Sequence, residues 1–182
     1  DIQYFKKIEL SVESFFKKII CQKRGGYCYE LNGLFYWLLK KEGFEVEMIS
    51  ARVFDSKGKI GPAFDHLALL VTLAGKKHLV DVGFGDFSAR PLYIKTEVEQ
   101  VDDNGVFMIR EFEGSDFIVL KKQGTVWKHQ YIFSTQPHQL EEFQAMNHFH
   151  QTSPLSQFTQ RKVCSILTKN GRITLTNNRL II

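Results

Sequence analysis

The sequence predicts an α+β protein. Helical periodicity ends near Gly43, short apolar or period-two runs follow it, and turn residues punctuate those runs. Ser11 is placed to cap a first helix over Val12 to Ile20, with Glu13 in its first turn and Phe15, Phe16, Ile19 and Ile20 at one-face spacing. Arg24-Gly25-Gly26 interrupts that pattern. A second helix spans Cys28 to Glu42, with Leu31, Leu34, Phe35, Leu38 and Leu39 on one stripe, Lys40 and Lys41 in the last turn, and Gly43 beyond it.

The expected strands are Glu45 to Phe54, His66 to Thr72, Lys77 to Val82, Val106 to Phe112, Phe117 to Lys121, Val126 to Phe133, Val163 to Thr168 and Ile173 to Thr176. Turns at Asp102-Asp103-Asn104-Gly105 and Asn170-Gly171 separate some of them. Pro137 to Pro154 is less regular, with Gln139 to Asn147 a short helix. This divides the chain into a helical part (1–43), a curled sheet or β-barrel (44–136) and a linker leading into a further element (137–182).

With 182 residues, 43% hydrophobic and 24% charged, the chain is long and apolar enough to bury a core, which excludes disorder and fibrous repeats. The net charge of +4 comes without a dense Lys/Arg block, so a small anionic ligand is a better expectation than nucleic acid. No apolar run is long enough to span a bilayer and no signal peptide is visible, which makes cytoplasm the default expectation and a membrane partner unexpected. Cys21, Cys28 and Cys164 form neither an even set nor a CxxC pair, which argues against a disulfide framework or structural zinc. The start at Asp1 and the apolar ending Leu180-Ile181-Ile182 suggest a piece missing at each end. Aromatic residues make up 13% of the chain.

Chemistry concentrates in two places. Two glycines turn the backbone into the second helix, so Cys28 sits where free N–H groups and the helix dipole favour a thiolate; the alternative is a small buried hydrophobe. The second place is a hairpin formed by Phe64 to Val71 and Lys77 to Gly85. A two-residue loop at Ala74-Gly75 sets His66 opposite Gly83, and one at Gly75-Lys76 shifts the pairing. In both registers side-chain alternation leaves His66 and Asp81 on one face, and in the first they are diagonal neighbours with Cα atoms roughly 7 to 8 Å apart. An odd-length loop without a bulge would separate them. A carboxylate between Val80 and Val82 needs a partner, and His66 is the obvious one. Nucleophile, base and orienting group then follow in the order Cys, His, Asp.

These residues carry a resemblance. Arg24-Gly25-Gly26-Tyr27-Cys28-Tyr29-Glu30-Leu31-Asn32-Gly33, Ser50-Ala51-Arg52-Val53, Asp65-His66-Leu67 and Val80-Asp81-Val82-Gly83-Phe84-Gly85 look like the arylamine N-acetyltransferases. Asn147, the run Gln151 to Thr159 and Asn170-Gly171-Arg172 extend the likeness. The resemblance implies a papain/transglutaminase-like cysteine core: N-terminal helices bearing the cysteine, a central antiparallel β-barrel bearing His and Asp, and an α/β lid, here incomplete at both ends. It implies ping-pong transfer of acetyl from acetyl-CoA, through a Cys28 thioester, to arylamines, hydrazines or arylhydroxylamines, without a metal.

Under that resemblance Cys28, His66 and Asp81 are catalytic, and the backbone N–H of Cys28 is a candidate oxyanion donor. Gly83, Phe84 and Gly85 with the hydroxyls of Thr152, Ser156 and Thr159 are candidates for CoA, and Val53, Phe84 and Phe158 for walls of the acceptor pocket. Arg24 and Glu30 are expected to pair and brace the cysteine loop. His148-x-His150, read as an extended segment, lacks further ligands at metal spacing. Cys21 and Cys164 are expected to be structural. The rival functions are a papain- or transglutaminase-like thiol hydrolase and a catalytically silent ligand-binding relative.

Overall fold

The computed structural model describes residues 1–4, 6–55, 57–168 and 171–182. Its centre is an antiparallel sheet of eight strands: β1 (Glu45–Val53), β2 (His66–Leu73), β3 (Lys76–Val80), β4 (Leu92–Tyr93), β5 (Gln100–Asp102), β6 (Gly105–Glu111), β7 (Phe117–Gln123) and β8 (Val126–His138). Their order is β4-β3-β2-β1-β8-β7-β6-β5, so the one crossover brings β8 beside β1. The sheet curls until its two edge strands meet across a side chain. Gln100 of β5 accepts from the Tyr93 N–H of β4 at 2.8 Å and donates to the Tyr93 carbonyl at 2.9 Å, so one amide imitates a ladder rung and nearly closes the barrel.

Alternation explains the core. Ile49 and Ala51 of β1, Ala68 and Leu70 of β2, and Leu79, Phe107, Ile109, Val119, Tyr131 and Phe133 fill the barrel interior. The intervening residues Val46, Met48, Leu67, Leu69 and Val71 point out and pack against the helices. Because β1 and β2 are covered on both faces, β2 reads as an unbroken apolar run.

The helices are α1 (Val12–Phe16), continued by a π-type turn (Lys17–Cys21), α2 (Cys28–Lys41), α3 (Gln144–Thr152) and α4 (Gln157–Gln160). Ser11 caps α1 as expected, accepting from the Ser14 N–H. The one-face reading of this segment holds only for Phe15, which is fully buried, whereas Phe16 and Ile20 are 44% and 52% exposed. The π-type turn rotates the later side chains away from the α-helical stripe. On α2 the stripe is likewise split. Phe35 and Leu39 pack inward, but the deepest face carries Cys28, Tyr29, Asn32 and Gly33, and Leu38 is exposed. Gly33 has no Cβ, and an added one would lie 2.7 Å from Phe15 Cε2; the bare backbone is what lets α1 settle on α2.

β4, β5 and an eleventh strand, β11 (Leu180–Ile181), are two or three residues long and carry no readable period. β11 joins β9 (Val163–Thr168) and β10 (Gly171–Thr176) in a separate three-stranded sheet. The expected turn at Asn170 lies outside the described residues. Cys21 and Cys164 are exposed rather than structural, because the π-type turn and the open β9 leave both at the surface. The His148-x-His150 pair lies on α3 and not on an extended segment. Among the described residues no helix is long and apolar enough to cross a membrane, and no cluster has metal-binding geometry.

Gly33→Ala should therefore destabilise the protein by about 1–3 kcal/mol despite alanine's better helix propensity. Phe15→Leu on the same background should recover part of the loss, as measured by urea denaturation.

Candidate active site

The site forms where α2 begins against the mouth of the barrel. Glu30 accepts from the Tyr27 N–H at 3.2 Å, which caps the start of α2 and leaves Cys28 as its first residue, 5% exposed. Glu30 is buried and is neutralised by Lys18, with Nζ to Oε1 2.6 Å. The expected Arg24–Glu30 pair is not formed. Arg24 instead holds Asp1 at 2.5 Å, and Asp1 in turn pairs with Lys18. Lys18, with a side chain 15% exposed, reaches the buried carboxylate from the π-type turn, whereas Arg24 stays 43% exposed.

Pairing of Leu69 with Val80 and Leu70 with Leu79 is the register that a loop at Ala74-Gly75 imposes. β3 ends at Val80, so Asp81 starts the following turn on the barrel-interior side. His66 Nε2 and Asp81 Oδ2 are 2.6 Å apart, and the residues are 3% and 6% exposed. Asp81 accepts from five donors. Asn32 Nδ2 (2.9 Å) and the N–H groups of Gly83 (2.8 Å) and Phe84 (3.0 Å) donate to Oδ1, while His66 and the Tyr131 hydroxyl (3.0 Å) donate to Oδ2. The sequence reading missed Asn32 and Tyr131. Asn32 stands one helical turn after Cys28, and it also donates to the Leu67 carbonyl and accepts from the Val82 N–H. A polar residue one turn along the cysteine's own face is the signal that could have found it.

Burial disfavours the charged forms of both members of the pair, but their mutual attraction outweighs it. Burial alone would lower His66; the Asp81 carboxylate and Cys28, each by charge and by hydrogen bond, push it up to about 10. Burial alone would raise Asp81; His66, Asn32 and the Gly83 N–H hold it below the usual carboxylate range. His66 is therefore an imidazolium at neutral pH, facing Cys28.

Gly83 presses on the start of α2, where an added Cβ would lie 2.7 Å from Cys28 Cα. Its lack of a side chain thus serves the approach of this turn to the cysteine. Gly85 has φ +97 with open space where a side chain would project, and its carbonyl accepts from Arg172 at 2.5 Å. The Phe84 ring lies 5.3 Å from His66 and 5.0 Å from Tyr131, and Val53 packs on the same interior cluster. Phe158 packs elsewhere, edge-on to Tyr27 at 5.7 Å. The three hydroxyls are occupied locally: Thr152 donates to the His148 carbonyl, Ser156 to that of His150, and Thr159 to those of Ser153 and Ser156. Ser156 is also buried and caps α4. Tyr27 donates to Asn147 Oδ1, which ties the cysteine loop to α3.

Comparison with known proteins points to one family. A sequence profile described as N-acetyltransferase matches residues 1–182. Arylamine N-acetyltransferase 2 of Mus musculus is 33% identical over 189 residues, covering 91% of this chain and 64% of the mouse protein. The structure of the arylamine N-acetyltransferase from Salmonella typhimurium superposes with a TM-score of 0.91 at 30% identity, covering 99% of this chain and 66% of that one. That of Mycobacterium marinum arylamine N-acetyltransferase, solved in complex with CoA, gives 0.90 at 27% identity, covering 99% and 68%. The chain belongs to the arylamine N-acetyltransferase family. It spans just under two thirds of the length of the mouse relative.

Two outcomes follow from the geometry. Asn32→Ala should cost about 1–3 kcal/mol in chemical denaturation, because it strips a donor from a buried carboxylate and orphans the Val82 N–H. A raised His66 binds its proton more tightly in the folded chain, so its stabilising contribution is complete below its ordinary value of 6.5 and lost as pH rises through about 10. The lowered Asp81 contributes above its ordinary 3.8 and loses that contribution as pH falls below it. The stability gap between wild type and His66→Gln should accordingly be widest near pH 5 to 6 and narrow toward pH 10.

Proposed function

We propose that this chain transfers acetyl from acetyl-CoA to an arylamine, hydrazine or arylhydroxylamine through a thioester on Cys28. The observation that carries the reading is the buried Cys28–His66–Asp81 line, in which His66 stands 2.6 Å from a carboxylate that accepts from five donors. In this reading Cys28 is the nucleophile, its sulfur set at the start of α2 beside His66. The thiolate attacks the thioester carbonyl of acetyl-CoA, the bond from carbonyl carbon to CoA sulfur breaks, and His66 gives its proton to the departing thiolate. The acceptor nitrogen then attacks the acetylated Cys28, its proton passes to His66, and the Cys28 thiolate is released. Thioester exchange is nearly isoenergetic, so the residues need only present a charged sulfur and move one proton. An aromatic amine, being a weak base, is already a free nucleophile at neutral pH.

Asp81 orients His66 and compensates its charge throughout. The N–H of Cys28 and a neighbouring backbone amide serve as oxyanion donors. The open backbone at Gly85 favours a role beside CoA, with Gly83 and Phe84 shaping the same turn. Thr152 and Thr159 would then meet CoA through hydroxyl oxygens, since their protons are engaged, whereas Ser156, buried and spent on capping α4 and on His150, drops out of the CoA set. Val53, Phe84 and Phe158 are proposed as acceptor walls. The helical part (1–43) supplies the sulfur, the barrel (44–136) the base and carboxylate, and 137–182 the start of a lid. The cysteine at a helix start, paired with His and Asp on a barrel, is the arrangement of papain- and transglutaminase-like cores. CoA bound in the Mycobacterium marinum relative supports the donor.

Incubation with acetyl-CoA should make the intact protein heavier by one acetyl group, and Cys28→Ser should abolish the gain. Cleavage of peptide or glutamine amides without any acetyl uptake would replace this reading with a thiol hydrolase.

A further inference from the structure

A lysine is buried in the barrel, and the acetyl transfer proposed above makes no direct use of it. Lys121 of β7 faces Phe107 of β6 across the ladder, so it shares the interior face with Phe107 and Val119. Its side chain is 9% exposed, and its Nζ lies 5.3 Å from the centre of the Phe107 ring. Gly105 makes room for it. That glycine sits at φ +137, and an added Cβ would lie 3.1 Å from Lys121 Cε. Among the described residues the ammonium has one ion-pair partner, Asp86, with Nζ 2.7 Å from Oδ1.

The two partners need each other unequally. Asp86, with a side chain 64% exposed, would be hydrated without the lysine, whereas an ammonium enclosed by the barrel would be left uncompensated without the carboxylate. The demand for the contact therefore comes from Lys121, and what it draws in is a turn. Asp86 stands two residues after Phe84, in the segment between β3 and β4. Upstream, the N–H groups of Gly83 and Phe84 are fixed on Asp81 Oδ1. Downstream, Phe87 is buried in the barrel core, its carbonyl accepts from Asn104 Nδ2 at 2.7 Å, and Asp102 Oδ2 accepts from the Ala89 N–H at 2.7 Å. Lys121 secures the stretch between these anchorages, where the Phe84 ring leans on His66 and Tyr131. A methionine would fill the same space with no charge to satisfy, so packing alone does not call for a lysine.

We propose that Lys121 is a positioning residue: by drawing Asp86 onto the barrel it holds the 83–87 turn in place and sets the Phe84 ring as a wall for the acceptor. The consequence for the acceptor rests on the reading that Phe84 lines its site. The effect on the turn does not.

Hydrogen exchange of the full chain, read by peptide mass spectrometry, tests the turn, and steady-state acetylation of aniline at saturating acetyl-CoA tests the acceptor. In Lys121→Met the 83–87 amides should exchange roughly tenfold faster, while β7 and β8 keep their protection and the urea midpoint does not fall. Asp86→Asn should speed the same amides but lower the urea midpoint, since it strands the ammonium, and it stands in if Lys121→Met fails to fold. The double variant should match Lys121→Met. In Lys121→Met the KM for aniline should rise about fivefold with kcat within about twofold, the mark of lost binding and not of lost chemistry. Unchanged exchange in the turn, or an equal rise in every peptide, would overturn the proposal. Faster turn exchange with an unchanged KM for aniline would overturn its acceptor half. Absence of acetyl transfer by the wild type, with the exchange result as expected, would overturn the transferase reading alone.

Discussion

Everything around Cys28 depends on the solvation of one buried carboxylate. Removing a charged carboxylate from water costs several kcal/mol, and Asp81 recovers this only because protein donors replace its water shell. Those donors come from α2 (Asn32), β2 (His66), β8 (Tyr131) and the turn at Gly83-Phe84. The anion consequently fastens the cysteine-bearing helix to the barrel, sets the turn that carries Phe84 and keeps His66 charged. Structural and chemical demands fall on the same atoms, so a change at any donor is felt in both.

A second polar layer secures the sulfur from the other side. Glu30 holds the first turn of α2 and is itself neutralised by Lys18. Tyr27 reaches Asn147 on α3, and Asn147 and Gln151 bind the backbone of Ile8. Among the described residues no buried side-chain nitrogen or oxygen lacks a partner. Aromatic rings fill the space between these layers. Phe87, Phe107, Tyr131 and Phe133 pack inside the barrel, whereas Tyr27, Tyr29, Phe158 and His150 form a cluster beside the cysteine. The high aromatic content thus serves both the barrel core and a packed cluster beside the cysteine.

The legible parts of the chain were those with local causes. Gly25-Gly26 followed by a helical period placed Cys28 at a helix start, and the two-residue loop at Ala74-Gly75 put His66 and Asp81 on one face through strand parity alone. Most of the longer strands were readable from their period. β4, β5 and β11 were not, because two or three residues carry no period and are held by their neighbours. The extension of β8 to His138 was hidden by Pro137, which is tolerated where β1 and β8 shift register. Arg24 was matched to Glu30 by proximity in sequence, but the folded chain brings Lys18 closer.

The sequence by itself determined the second helix and most of the longer strands, the parity of His66 and Asp81 and the family, since each is written in spacings of a few residues or in contiguous motifs. The tertiary structure decided the roles of Asn32 and Tyr131, the Lys18–Glu30 pairing and the placement of Lys121 against Asp86. Hydrogen bonds and ion pairs between distant segments depend on ångström-scale approach of elements, and that approach is set by packing throughout the fold. Gly33 under Phe15 and Gly83 against Cys28 show the difference: each is a bare position in the sequence, and only the fold reveals what it lets in.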